Sequence, residues 1–420
     1  MREVLFDVTR LFVRGSRFSP TGIDRVVMAY ARWLLGREDV ALRPVLTVGG
    51  RLLGVHRATL ARLIEGSEVF ARSAASRAEG DASWAAIVAA LSVGPREAPP
   101  LRAKSLARQI PARLRWQLGL AARSATQLRP APIPAGAVYL NVSHTGLDQP
   151  RVLGRIANRG ASPVVMVHDL IPIYFPEYCA PGAEARHARR MSEIITHARL
   201  VITNSATTAE ELRDYTGKLG APTPEIAVIP LGIEKAFLSA PPVAPASAPY
   251  FVCVGTIEAR KNLAFLLALW RRLAERMGEA TPRLVMVGRR GWENESVIDH
   301  LQRSDAVIRL VHEVSDLQDC QLARLVAGAA ALLSPSFAEG FDLPVIEALS
   351  LRTPVIASDI PVHRELAAGV TLIDPFDGAA WLTALEAAAQ RAGRGPTFSA
   401  PSWEEHFATV ADRFQRLALA

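Results

Sequence analysis

A chain of 420 residues, half of them hydrophobic, has material for two domains of ordinary size, and no apolar run approaches the roughly 20 residues that a membrane-spanning helix needs. The cysteines, Cys179, Cys253 and Cys320, are widely spaced and form no Cys-x-x-Cys, which excludes a disulfide framework and a zinc knuckle. The net charge of +7 is local, because no acidic residue lies between Ala98 and Leu147 while Arg102, Lys104, Arg108, Arg113, Arg115, Arg123 and Arg129 do. The opening Met1–Arg10 has no signal-type apolar core, since Asp7 and Arg10 interrupt it. A reduced, cytoplasmic protein is the expectation.

In chain order, Val4–Val8 reads as a strand, Ser19–Arg25 (S-P-T-G-I-D-R) as a polar loop and Val26–Leu35 as a helix. That is the opening of a doubly wound α/β domain. Leu42–Val48 is the next strand, and residues 52–95, rich in Ala and Arg, are helical in parts. Residues 96–135 combine prolines with all the excess charge and read as a loop or a helix broken at Pro111. Leu114, Leu118 and Ala121, with Trp116 nearby, suggest a weak amphipathic helix at a membrane surface. The basic charge suggests an anionic partner. Nucleic acid is not expected, because no aromatic stacking platform accompanies it. Strands follow at Ala137–Val142, Pro163–Val167 (leading to His168 and Asp169), Leu200–Thr203 and Ile226–Ile229, alternating with helices as in a mostly parallel sheet.

The proline-rich run Ala240–Pro249 is a semi-rigid linker. It divides an N-terminal domain, 1–239, from a C-terminal one, 250–403, with 404–420 packing back on the first. The second half restarts with strand Tyr250–Val254, helix Leu263–Met277, strand Arg283–Val287 and a helix around Ser296–Arg303. Strands at Val307–Leu310, Ala329–Leu333, Pro354–Ala357 and Val370–Ile373 and a closing helix, Ser402–Leu419, complete it. Ligands of open parallel sheets bind beyond the carboxyl ends of the strands, so the chemistry belongs between the two units.

There is no P-loop, no dinucleotide G-x-G-x-x-G, no G-x-S-x-G elbow, no H-E-x-x-H and no clustered metal-ligand set, so no metal or cofactor is expected. Three stretches converge instead. G-T-I-E-A-R-K-N, Gly255–Asn262, sets Arg260 and Lys261 at a helix start, where the macrodipole prefers anions. Two cations against that preference suggest a phosphate to be neutralised. V-H-E-V-S-D, Val311–Asp316, offers backbone groups and Val314 beside a flat base. The third, Leu333–Leu349, carries Glu339 and Gly340 on a loop, Pro344 in a first helical turn and Glu347 inside the helix. Alone, the third stretch is also compatible with an ordinary strand–loop–helix connection, or with the acid and base of a glycosidase.

Together these segments resemble the retaining, nucleotide-sugar-dependent GT-B glycosyltransferases of family 4. The resemblance rests on G-T-x-x-x-R-K-N, on V-G-x-x-G-W, on the Glu339 and Glu347 pair and on P-V-I-A-S-D-I-P-V-H-R-E at Pro354–Glu365. It extends to T-G-I-D-R, H-D-L-I-P, N-S and V-I-P-L-G-I in the first half. It implies two Rossmann-like domains facing a cleft. It implies that Arg260 and Lys261, beside Gly255 and Thr256, hold the donor diphosphate, and that Glu347 binds the ribose. Glu339 would sit beside the transferred sugar, the backbone of Gly340, Phe341, Asp342 and Leu343 would contact sugar and phosphate, Val314 would flank the base, Gly22 would approach the diphosphate, and His168 would lie near the sugar. The implied partners are a nucleotide-sugar donor (GDP-mannose or GDP-rhamnose type, with UDP-sugars open) and a lipid-linked or oligosaccharide acceptor of surface polysaccharide synthesis. An anionic membrane surface would be met through 101–129, at the inner face of the plasma membrane. The alternative is an inactive glycan-binding or scaffold subunit of the same fold. Two positions depart from the family pattern: Asp342 stands where the second glycine of E-G-F-G-L is usual, and Leu231 where P-N-G has asparagine.

Overall fold

A computed structural model describes residues 2–14, 21–71, 74–93, 101, 128–149, 151–243, 246–291, 294–365, 369–391 and 393–417. The first sheet comprises β1 (Arg2–Asp7), β2 (Val40–Val48), β3 (Arg51–Gly54), β4 (Arg129–Pro130), β5 (Val138–Asn141), β6 (Ser162–Val167), β7 (Leu200–Thr203) and β8 (Glu225–Val228). Its order is β4-β3-β2-β1-β5-β6-β7-β8, parallel except that β3 runs against both neighbours. Val4 of β1 lies opposite Leu42 of β2 and Val138 of β5. The second sheet comprises β9 (Tyr250–Val254), β10 (Arg283–Val287), β11 (Val311–Val314), β12 (Ala331–Ser334), β13 (Val355–Ser358) and β14 (Val370–Ile373), in the order β11-β10-β9-β12-β13-β14 and parallel throughout. The strands are apolar runs because helices cover both faces; β5, β10, β12 and β13 are buried along their whole length.

The first long helix begins at Gly22, earlier than the apolar pattern indicates. Thr21 caps it by accepting from the Asp24 N–H, and Asp24 returns a bond to the Thr21 N–H in a capping box. Arg10 secures this start through Asp24 Oδ1 at 2.6 Å. The polar run therefore opens the helix rather than preceding it. The apolar run Val307–Leu310, expected as a strand, belongs to the short helix Asp305–Leu310, and β11 follows at Val311. Val307 and Leu310, three apart, are both buried, and a run this short satisfies either periodicity.

Helix Ala74–Ser92 leaves the first sheet and lies against the second domain. The Arg283 guanidinium donates to the Ala90 and Val93 carbonyls, Gln321 Nε2 donates to Asp81 Oδ1 at 3.2 Å, and Arg324 stands over the Trp84 ring at 5.2 Å. Leu101 continues this contact, its carbonyl accepting from the Glu313 N–H. The closing helix, Trp403–Arg416, packs on helix Gly22–Leu35 of the first domain: Phe407 stacks on Trp33 at 4.7 Å, and His406 Nε2 lies 2.8 Å from the Tyr30 hydroxyl. The basic segment singled out above falls almost wholly on 102–127, outside the described residues. Among the described residues no helix is long and apolar enough to cross a membrane.

Candidate active site

The carboxyl end of β9 and the carboxyl end of β12, neighbours in the sheet, supply the centre of the cleft. After β9 the chain turns at Gly255 with φ 147°, and a Cβ there would stand 2.9 Å from Lys261 Cε, so the glycine makes room for the lysine stem. A 3₁₀ turn, Ala259–Lys261, carries both cations into helix Leu263–Met277. The loop after β12 clasps this turn. The Phe337 N–H donates to the Arg260 carbonyl, and Arg260 Nη1 donates to the Ala338 carbonyl, each at 2.9 Å.

Glu339 is thereby held between the cations, with Oε2 2.6 Å from Arg260 Nη1 and Oε1 2.6 Å from Lys261 Nζ. Arg260 Nε also meets Glu258 Oε1 at 2.8 Å. Burial alone would raise the Glu339 carboxyl, but Arg260 and Lys261 outweigh it and hold the group below its usual range. Glu258, with a single such neighbour in contact, is pushed up by burial. Burial works against the Lys261 ammonium, yet Asp342 and Glu339 together keep its pKa raised. The cluster is charged, with the Lys261 and Glu339 side chains buried and Arg260 partly exposed at the cleft side of the second sheet.

Gly340 sits where the loop touches the first domain. A Cβ would come within 2.2 Å of the His168 carbonyl oxygen, and Ser205 Oγ donates to the Gly340 carbonyl at 2.8 Å. Phe341 is buried in the core and Leu343 begins helix Leu343–Ser350. Asp342 stands at the N-cap of that helix with φ 56° and ψ 64°, the left-handed conformation that costs an L-residue about 1–2 kcal/mol. Its carboxylate turns away from the helix N-terminus into the domain, where Oδ2 accepts from Ser334 Oγ and lies 3.0 Å from His363 Nε2. Oδ1 faces Lys261 Nζ at 3.6 Å. Burial would raise this carboxyl, but Lys261 and His363 hold it well below the usual carboxylate range.

Glu347, one turn into the same helix, is buried and reaches across the cleft to Arg25, with Oε1 2.7 Å from Nη1. Arg25 Nη2 meets Asp319 Oδ1 at 2.6 Å. Burial pushes the Glu347 carboxyl up to about 7 against the opposing pull of Arg25. Sequence reasoning did not single out Arg25; the only signal was its place in T-G-I-D-R, at the head of a helix that points into the cleft.

The remaining candidates are placed less centrally. Gly22 begins helix Gly22–Leu35 with Leu343 of the other domain as its neighbour, and a Cβ there would meet Leu343 Cδ1 at an ordinary 3.6 Å. His168 is buried, with Nε2 engaged by the Val142 carbonyl at 2.8 Å and its ring edge-to-face with His144. It is the His168 carbonyl that meets Gly340. Val314 ends β11, its carbonyl taken by the Gly288 N–H, beside an ion pair of Arg289 with Asp316. Thr256 packs under the turn at Gly291. Leu231 is a buried core residue.

Two open, mostly parallel sheets facing each other, with charged loops at their carboxyl ends, define the GT-B architecture. Residues 248–391, most of the second domain, match the family described as Glycosyl transferases group 1. The chain is 31% identical over 227 residues to the serotype-specific mannosyltransferase WbdA of Escherichia coli, covering 50% of this chain and 27% of WbdA. It is 29% identical over 231 residues to the O-antigen chain mannosyltransferase RfbU of Salmonella typhimurium, covering 53% of this chain and 59% of RfbU. The chain thus spans about a quarter of WbdA and under two thirds of RfbU. Among solved structures, Anabaena Alr3699/HepE in complex with UDP and glucose has the same fold, with a TM-score of 0.57 at 15% identity over 100% of this chain and 95% of that one. Sucrose-phosphate synthase of Thermosynechococcus elongatus also gives 0.57, at 16% identity over 100% and 97%.

Proposed function

We propose that the chain is a retaining glycosyltransferase that moves a sugar from a nucleoside diphosphate sugar to a lipid-linked or oligosaccharide acceptor in surface polysaccharide synthesis. The observation that carries this reading is the close grouping of Arg260, Lys261 and Glu339 at the carboxyl ends of two adjacent central strands. A hydrolase needs two carboxylates and no fixed cations. A departing nucleoside diphosphate needs fixed cations and gains most from donors organised in advance. In this reading Arg260 and Lys261 leave Glu339 in part to take the diphosphate, and Glu339 turns its freed oxygen to hydroxyls of the transferred sugar. Glu347 exchanges Arg25 for the ribose. Val314 flanks the base, and the N–H groups of Gly340 to Leu343 contact sugar and phosphate. As the sugar–phosphate bond loosens, the acceptor hydroxyl attacks from the face that the phosphate leaves, and the phosphate oxygen takes its proton. His168 keeps the acceptor side of the cleft in register with Gly340 through its carbonyl.

The relatives are named mannosyltransferases, which favours mannose as the transferred sugar, and GDP-mannose is the donor of this reading. The test is transfer and donor hydrolysis with GDP-mannose against UDP-glucose, alongside thermal shifts with GDP, UDP, ADP and dTDP. A shift and turnover with one nucleotide series support the reading; binding without turnover on any acceptor or water would make the chain a glycan-binding subunit instead. Turnover should survive EDTA, because the charge is supplied by Arg260 and Lys261; its loss would overturn that assignment. Membrane docking through 101–129 is tested by sedimentation with anionic liposomes at low salt, where a protein left in the supernatant rules it out.

A further inference from the structure

We infer that Asp342 and His363 form a buried ion pair that positions the Lys261 ammonium for the donor phosphate, making His363 a positioning residue that touches no substrate. The inference rests on the functional reading above. His363 is buried in the short helix Pro361–Glu365 of the second domain. Its Nδ1 lies 2.8 Å from the Ser358 carbonyl oxygen, which can only accept, so Nδ1 carries a proton. Its Nε2 lies 3.0 Å from Asp342 Oδ2. An imidazole whose two nitrogens both face pure acceptors is an imidazolium, and a carboxylate that also accepts from Ser334 Oγ is its natural counter-ion. The charged groups around the pair are Lys261 and, through it, Glu339; both serine oxygens are neutral.

The pair has a consequence at the cleft. With His363 cationic, Arg260, Lys261 and His363 balance Glu258, Glu339 and Asp342. Lys261 then rests on Glu339 at 2.6 Å, with Asp342 farther away at 3.6 Å. Remove the imidazolium and Asp342 becomes an uncompensated anion behind Lys261. The ammonium is drawn inward, and the site turns net negative where a diphosphate must bind. Remove Asp342 as well and the excess charge disappears. A left-handed position that glycine fills without strain is thus occupied by a residue that can reach backward to a histidine.

The signature is a sign reversal between variants. His363→Gln, which keeps a donor toward Asp342 but no charge, should weaken binding of GDP-mannose and of inorganic pyrophosphate about tenfold. The double variant His363→Gln with Asp342→Gly should recover most of that loss, and the effect should appear in KM more than in kcat. Purely structural roles would make the double variant no better than His363→Gln, which would overturn the proposal. Nitrogen-15 NMR of the His363 ring in the wild-type protein without ligand reads the charge itself. Both nitrogens should stay protonated as pH rises above 6.5, where an ordinary histidine loses its charge. A neutral ring there overturns the proposal even if the variants fail to fold. Because that readout needs no donor, it stands apart from the functional reading, which falls if wild-type protein binds neither GDP-mannose nor UDP-glucose.

Discussion

At the scale of single residues, Lys261 has the most demanding environment: buried, charged, and suspended between Glu339 and Asp342. Replacing it with alanine removes a donor aimed at developing charge, and loss of one such group costs about a hundredfold to a thousandfold in kcat. Steady-state transfer assays on Lys261→Ala check this, and near-normal kcat would remove Lys261 from the mechanism. The Asp342–His363 pair makes a stability prediction of its own. The His363 pKa is raised above 6.5 despite burial, because Asp342 supports the cation, so its contribution is complete below pH 6.5 and fades as pH rises through the raised value. The Asp342 pKa is lowered below 3.8, so its contribution is complete above that and fades in stronger acid. The thermal stability advantage of wild type over Asp342→Gly should therefore be widest between about pH 4 and 6.5 and narrow above it. An advantage that grows with pH above that window contradicts the pair.

At the scale of elements, helix Gly22–Leu35 ties the domains together through the Arg25 side chain. Arg25 is paired with Glu347 and Asp319, and the Glu347 carboxylate is buried beneath it. Arg25→Ala leaves Glu347 a buried carboxyl that takes up a proton and lacks its partner, which costs about 1–3 kcal/mol, and combining it with Glu347→Gln should cost less than the two single losses added. Urea unfolding of the two single variants and the double variant measures the coupling; additive losses would mean that the pair is not the inter-domain tie. What was legible in the sequence follows from this contrast. The loops Gly255–Asn262 and Leu333–Leu349 could be read because each packs its chemistry into one short stretch after an apolar strand. Arg25 could not, because its partner lies 322 residues away and a helix-start arginine looks like any solvated charge. His363 stood in a recognisable motif, but its meaning depends on Asp342 having replaced glycine on a different loop. Helix Ala74–Ser92 escaped for the same reason: its Ala- and Arg-rich sequence gives a mixed signal, and only tertiary contact shows that the surface it covers belongs to the other domain.

At the scale of the whole molecule, helix Ala74–Ser92 of the first half lies on the second domain and the closing helix Trp403–Arg416 lies on the first, so the two sheets are coupled by covalent crossings as well as by ion pairs. The last crossing ends in a histidine whose surroundings are the reverse of those of His363. His406 Nδ1 lies 2.8 Å from the Pro230 carbonyl and Nε2 2.8 Å from the Tyr30 hydroxyl. The Pro230 carbonyl only accepts and the Tyr30 hydroxyl has a proton to give, so a neutral ring, with Nδ1–H donating and Nε2 accepting, satisfies both. Burial pushes its pKa down from 6.5 to about 4. The unfolded chain then binds a proton that the folded one refuses between those values, and stability falls as pH drops through the window. Each tenfold loss of proton affinity on folding is worth about 1.4 kcal/mol, which brings the full effect to about 3 kcal/mol. The closing helix and the Trp33–Phe407 stack are the elements it loosens. In His406→Gln, which keeps an amide donor and an acceptor oxygen but has nothing to titrate, the acid slope between about pH 6.5 and 4 should shrink by that amount. Urea midpoints of both proteins across that range measure it. An unchanged slope would place the acid sensitivity of the fold elsewhere than in the contact that returns the chain to its first domain.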